Sequence, residues 1–216
     1  MSPRPAQPDL RNTLLETAAA ILAEAGPAGL TTRRLAGELG VSTMAVYTYF
    51  GGMDDLVRAL VYEGFARLHR RMSEVGASDD PVADVAALGR LYRSNAVDHP
   101  HLYRVMFGGS DLAGFSLGDE DRRHGLYTLE LLVGAVQLCI DAGRFAAGDA
   151  RLVAHQLWTA LHGVVTLELG GYLFDPYGAD VCFDAQVAGL FVGAGDTPRA
   201  AARSLRRSEP APGPDA

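Results

Sequence analysis

The sequence predicts an all-α protein of about nine helices. Three observations carry that prediction. Apolar residues recur at intervals of three and four along most of the chain, the spacing that lines one face of a helix. No stretch shows the strict apolar–polar alternation of a strand, and no internal repeat is present. Glycine and proline fall between the periodic stretches, where a helix must stop.

The elements follow in order. Residues 1–8 contain three prolines and read as a disordered arm. The first helix places Leu14, Ala18, Ile21, Leu22 and Ala25 on one face and ends at Gly26-Pro27. A short helix runs from Thr32 to about Leu39, followed by a turn at Gly40. Ser42 suits the N-cap of the next helix, which ends near Phe50 before Gly51-Gly52. A long helix from Met53 to about Glu74 carries the stripe Met53, Leu56, Val57, Leu60, Val61, Phe65, Leu68 and Met72.

Gly76 to Asp80 is a linker, and Pro81 opens a helix that reaches about Val97. A short helix covers His101 to Phe107, and residues 108–118 form a loop. Two longer helices at about 119–142 and 149–170 precede a last one at about 180–193, with Phe183, Val187, Leu190 and Phe191 on one face. The tail, 196–216, is rich in Pro, Ala, Arg and Ser and reads as disordered. The organisation is therefore an arm at 1–8, a small domain at 9–52, a larger helical domain at 53–195, and a tail.

Formal net charge is -7, yet residues 1–75 balance at eight arginines and eight acidic residues. All of the acidity lies further on. The chain has no lysine, so each of its 19 basic residues presents a planar, multi-donor guanidinium. Cys139 and Cys182 form no C-x-x-C pair, which argues against a disulfide framework or a cysteine zinc site. No apolar run reaches the ~20 residues of a membrane span, and the N-terminus has no apolar signal core. A cytoplasmic location with no membrane partner is expected.

Thr32 to Tyr49 is the informative segment. Two short helices joined by a tight turn can place the second in a DNA major groove. Ala36 is small enough for the helices to cross, and Gly40 tolerates a positive φ in the turn. Leu35, Leu39, Val41 and Val46 fix the interhelix angle, which leaves Thr43, Met44, Tyr47 and Thr48 facing outward. An ordinary helical hairpin with a glycine turn would share the Ala-x-x-x-Gly spacing but not this whole set.

The apolar first helix, LTTRRLAGELGVS, AVYTYF and the long helix after them resemble the DNA-binding domain of the tetracycline-repressor (TetR) family. The resemblance implies a homodimeric, ligand-responsive repressor on a double-stranded operator. It implies phosphate contacts for Thr31, Thr32, Tyr47 and Tyr49, base proximity for Arg33, Thr43 and Thr48, and a core role for Phe50. Ser42, Met44 and Arg34 complete the expected interface. Met53 stands where the family usually has a phosphate-binding lysine. A helix N-terminus there attracts phosphate unaided, and Asp54 and Asp55 oppose it. If Arg33 and Arg34 are the main cations, a dimer neutralises about four phosphates. The log–log salt slope is then roughly −3 to −4.

Trp158, His162 and Gly163 resemble the W-x-x-x-H-G signature of one C-terminal domain type in that family, and the resemblance extends from about Leu10 to Val192. His155, Trp158 and His162 share a helical face. They suit a ligand contact or metal pair, or else His162 bonds a polar neighbour beside a close helix crossing at Gly163. His99 and His101 flank a proline without a third metal ligand, so a helix boundary explains them better. Tyr92, Tyr103, Met106, Phe107, Phe115, Tyr127 and Trp158 are candidate pocket walls, with His124 and His162 as polar groups. For each of them individually, plain core is the simpler reading. The helix from Asp149 is apolar nearly all round and, with the last helix, could pair with its copy in a second subunit.

The resulting expectation is a DNA-binding repressor released by a small apolar or aromatic effector. No G-x-S-x-G, H-E-x-x-H or P-loop is present, so no catalytic residue, metal or cofactor is assigned. The alternatives are a dimeric DNA-binding protein without an effector, and a helical enzyme without a recognised motif.

Overall fold

The computed structural model describes residues 10–107 and 117–208. The expected arm at 1–8, Phe115, most of the 108–118 loop and the end of the tail lie outside them. Among the described residues the chain forms eleven helical segments and no strand. They group into two compact units, 1–66 with 99–125, and 67–98 with 126–216. These units do not follow the expected division at residue 52, because helical segments from beyond residue 98 pack on the N-terminal helices.

In the first unit, α1 (Leu10–Gly29) buries Leu14, Leu15, Ala18, Ile21 and Leu22. It kinks at Gly26, whose φ of 67° is outside the helical range, just where the Gly-Pro pair was expected to end it. Ala25, expected on the buried face, is exposed because the kink begins there. α2 (Thr32–Glu38) and α3 (Met44–Phe50) follow. α6 (Pro100–Met106) and α7 (Asp119–His124) complete this unit with the part of α4 (Met53–Ser73) up to Ala66.

α4 (Met53–Ser73) buries the expected stripe from Leu56 to Met72, while Met53 itself is half-buried at the helix start. Two close approaches fix its neighbours. A Cβ on Gly64 would stand 2.7 Å from the Met106 sulfur. One on Gly125 would stand 2.5 Å from the Phe65 ring. The second explains why the single helix expected at 119–142 is broken into α7 and α8 (Tyr127–Asp141). The chain passes Phe65 at Gly125, a residue without a side chain.

The second unit is built from α5 (Pro81–Asp98), α8, α9 (Ala150–Leu169), α10 (Ala179–Gly193) and α11 (Pro198–Arg207). Phe183, Val187 and Phe191 of α10 are buried as expected, and Leu190 is half-buried. α11 stands where a disordered tail was expected. Thr197 caps it, accepting from Ala200 N at 3.3 Å, and it buries Ala201, Ser204 and Leu205.

A polar clasp holds α11 in place. The Ser204 hydroxyl bonds Asp80 at 2.9 Å, and Arg144 bridges Asp80 at 3.0 Å and Asp196 at 2.7 Å. Burial opposes the charge on Asp80. Bonds from Ser204 and the Ala83 amide, with the Arg144 guanidinium, outweigh it and hold the carboxyl below its ordinary range. The composition of the tail hid this helix, because its apolar stripe is narrow and its partners lie far away in sequence.

Candidate functional site

The expected helix-turn-helix head is set by α2, the turn and α3. Thr31 caps α2, its hydroxyl accepting from Arg34 N at 3.1 Å. Gly40 takes φ 62° in the turn, and Val41 N closes it onto Ala36 O at 3.0 Å. Leu35, Ala36 and Val46 are buried at the crossing, with Leu39 and Val41 half-buried. Gly51 ends α3 with φ 79°, its amide on Tyr47 O at 2.9 Å. Ser42, expected as the α3 cap, stands one residue too early. Thr43 occupies that position in helical geometry and makes no side-chain cap bond.

α3 buries only Val46 and Phe50. Ser42, Thr43, Met44, Tyr47, Thr48 and Tyr49 are all exposed. Met44, Tyr47 and Tyr49 keep 64%, 50% and 43% of their surface in water. The Thr48 hydroxyl donates to Met44 O at 2.8 Å, so outwardly it offers acceptor lone pairs and a methyl.

The expected cations divide. Arg33 is exposed and makes no ion pair among the described residues. Arg34, expected as a second phosphate contact, is committed to Glu24 at 2.6 Å and lies 3.7 Å from Glu38. Sequence reasoning missed Arg11, whose guanidinium lies 5.2 Å from the centroid of the Phe50 ring. Asp55, expected to repel phosphate, pairs with Arg58 one turn on.

Arg58 is also held by Asp121 at 2.9 Å, and Tyr62 donates to the same carboxylate oxygen at 2.8 Å. Asp121 is buried and accepts the Gly118 amide at 2.9 Å. Burial opposes its charge, but the Gly118 and Tyr62 bonds and the Arg58 charge prevail and lower its pKa. The hydrogen bond to Asp121, followed by burial, raises that of Tyr62. No local signal marks this cluster, because its members are 59 and 63 residues apart.

The candidate ligand contacts fall in both units. In the first, the Tyr103 and Phe107 rings lie 4.8 Å apart, Met106 packs on Gly64, and His124 stacks on Tyr62 at 3.7 Å. In the second, the Tyr92 hydroxyl lies 3.2 Å from His162 Nδ1, Trp158 sits 6.1 Å from the His162 ring, and Tyr127 sits 5.0 Å from His69. Burial lowers the His162 pKa, favouring the neutral imidazole. His162 thus has the polar neighbour that was expected. Among the described residues the close helix crossing expected at Gly163 is absent, since a Cβ there would meet nothing within 4 Å. Among the described residues no group of three or more His, Cys, Asp or Glu could hold a metal, and no helix is long and apolar enough to cross a membrane.

Comparison with known proteins bears on this geometry. Residues 14–60 match the family of bacterial regulatory proteins designated tetR, and residues 85–190 match a tetracyclin repressor-like C-terminal domain. An HTH-type transcriptional regulator of Mycobacterium tuberculosis is 31% identical over 224 residues, covering 85% of this chain and 91% of its own. The chain belongs to the TetR family of transcriptional regulators. The C-terminal match carries no Trp-His-Gly designation.

Among solved structures, a protein with unknown function from Rhodococcus sp. RHA1 superposes with a TM-score of 0.74 at 30% identity, covering 88% of this regulator and all of its own chain. The regulator FadR of Bacillus subtilis, solved with stearoyl-CoA, shares the fold at a TM-score of 0.67 and 20% identity, over 85% and 98% of the two chains. This regulator is therefore all-α with an N-terminal DNA-binding domain.

Proposed function

We propose that this TetR-family regulator is a homodimeric, cytoplasmic repressor that binds a palindromic operator and leaves it when a small effector binds. The observation that carries the reading is α3. It buries two residues and turns its hydroxyls, rings and methionine outward from a rigid turn. Such a helix suits a major groove. Arg33, Thr43, Met44 and Thr48 face the bases in this reading. Thr31, Thr32, Tyr47 and Tyr49 hold phosphates, with Ser42 beside them.

Two half-sites ~34–36 Å apart require two copies. α9 and α10 support that requirement, because they leave Leu152, Leu167, Val181 and Val192 exposed. α4 runs on from the first unit into the second, as Ala66 and Arg67 are consecutive residues of one helix. Effector binding would then act by population shift, favouring a tilt of α4 that spoils the half-site spacing. The effector we infer is apolar or aromatic, with two candidate sets of contacts: Tyr92, Tyr127 and Trp158 with His162 in the second unit, and Tyr103, Met106 and Phe107 with His124 in the first. The acyl-CoA on FadR gives one class to try.

The test is fluorescence anisotropy on fragments of the protein's own promoter region, with and without acyl-CoAs and small phenols. Nanomolar binding to one inverted repeat, reversed by one of these compounds, is the expected outcome. A compound that raises the Tm without releasing DNA would count against induction. Absence of any specific fragment would remove the operator reading.

A further inference from the structure

The α9–α10 connection carries three aromatic side chains that the subunit leaves in water. Tyr172, Phe174 and Tyr177 are 71%, 73% and 70% exposed. The segment nevertheless has a fixed backbone. Gly171 takes φ 72°, its amide bonds Glu168 O at 2.9 Å, and Tyr172 N bonds Leu167 O at 2.9 Å. Tyr177 N bonds Phe174 O at 2.9 Å, and the Cys182 thiol donates to Tyr177 O at 3.4 Å. The Tyr172 ring leans over the helix end, where a Cβ on Gly170 would stand 2.9 Å from it. Rings held out by an ordered backbone have already lost much of the freedom that binding would remove.

These rings continue a face. The exposed positions of α9 include Leu152, Gln156, Thr159, Gly163, Leu167 and Gly170, spaced as one side of a helix that runs into the connection. Val181, Ala185, Gly189 and Val192 do the same on α10 as it leaves.

We infer that residues 172–177 form an aromatic arm that docks on a second copy of this chain. The inference rests on the homodimer reading and adds the element that closes it. Size favours this occupant. An aromatic side chain buries 150–250 Å², so three at this exposure offer roughly 300–500 Å² per subunit. A standard interface needs ~800 Å² from each partner. The rings thus supply about half of it, and a two-fold pair uses the arm twice. Charge favours it too. Residues 170–178 carry one charged side chain, Asp175, so nothing there attracts a polyanion. Tyrosine and phenylalanine are the residues enriched where interfaces are driest.

Sedimentation of the full chain over nanomolar to micromolar concentrations tests this, beside the triple variant Tyr172→Ser, Phe174→Ser, Tyr177→Ser and the helix-face variant Gly163→Glu. The expected result is a wild-type dimer whose dissociation constant rises at least 100-fold in the triple variant, with an unchanged circular dichroism spectrum. A dimer undisturbed by the triple variant but broken by Gly163→Glu would overturn the arm and leave the dimer reading standing. A wild type that is monomeric while it binds operator would remove both. If the triple variant does not fold, oxidative footprinting of the wild type decides. Protection of the three rings on dimerisation is expected, and equal labelling in monomer and dimer overturns the arm.

Discussion

Arginine has opposite roles in the reading head and in the second unit. In the second unit Arg93 grips Glu168 at 2.6 Å, Arg90 grips Asp184 at 2.8 Å, and Arg144 bridges two buried carboxylates. In the head Arg33 stands in water, and Arg34 is neutralised by Glu24. The outward face of α3 carries no charge at all. A chain without lysine thus uses these guanidiniums to join helices, while the head exposes hydroxyls, rings, Arg11 and Arg33. The difference teaches that the -7 net charge says little about DNA binding. What counts is which cations remain unpaired.

Breaking the clasp should give the largest effect. Arg144→Ala leaves Asp196 buried without its cation and Asp80 with only the more distant Arg207 at 3.7 Å, a change that costs about 3–5 kcal/mol. Denaturant unfolding should register that loss, while operator affinity per folded molecule stays within about twofold, as the additivity of independent sites requires. A matching loss of affinity would mean the two regions are not energetically separate.

Acid gives a milder break, because protonated Asp80 and Asp121 keep some hydrogen bonds. Both carboxyls sit below their ordinary values in the folded state. They therefore stabilise the fold above the ordinary carboxylate pKa of about 3.9, and that contribution is lost as pH falls through the lower folded values. A Tm measured from pH 7 downward should hold to about pH 5 and then fall. Asp80→Asn should flatten the acid limb.

The head was legible in the sequence because its signals are local. Ala36, Gly40, Val46 and the outward Thr43, Met44, Tyr47 and Thr48 all lie within one short stretch, and the structure places each as expected. What stayed hidden depends on distant partners. α11 looks disordered until Asp80 and Arg144 are brought to Ser204. The break at Gly125 cannot be seen without Phe65. Arg34 reads as a free cation until Glu24, ten residues back on α1, is turned toward it.

Tyr47→Phe sharpens the comparison from the side of the head. The ring stays, half its surface remains in water, and only the hydroxyl is lost. A hydrogen bond to a charged phosphate contributes about 1.5 kcal/mol, which predicts roughly tenfold weaker operator binding for each hydroxyl. Denaturation midpoints should not move. Unchanged affinity would mean that the ring only packs.

The smallest effect tests the comparison most directly. With Arg34 paired to Glu24, only Arg33 of the two expected arginines is available, so the proposed dimer would neutralise about two phosphates through this pair. The log–log salt slope then falls from the roughly −3 to −4 expected with both arginines to about −2. Glu24→Gln keeps a hydrogen-bonding side chain on α1 but removes its charge. Arg34 is then freer to turn outward, although Glu38 at 3.7 Å still holds it weakly. The variant should bind operator slightly more tightly at low salt, and its slope should steepen by one to two, at about −0.9 per phosphate. Anisotropy titrations from about 50 to 200 mM salt resolve that change. A wild-type slope already near −4 would mean that Arg34 leaves Glu24 when DNA arrives, and the contrast between the two regions would then hold only for the free protein.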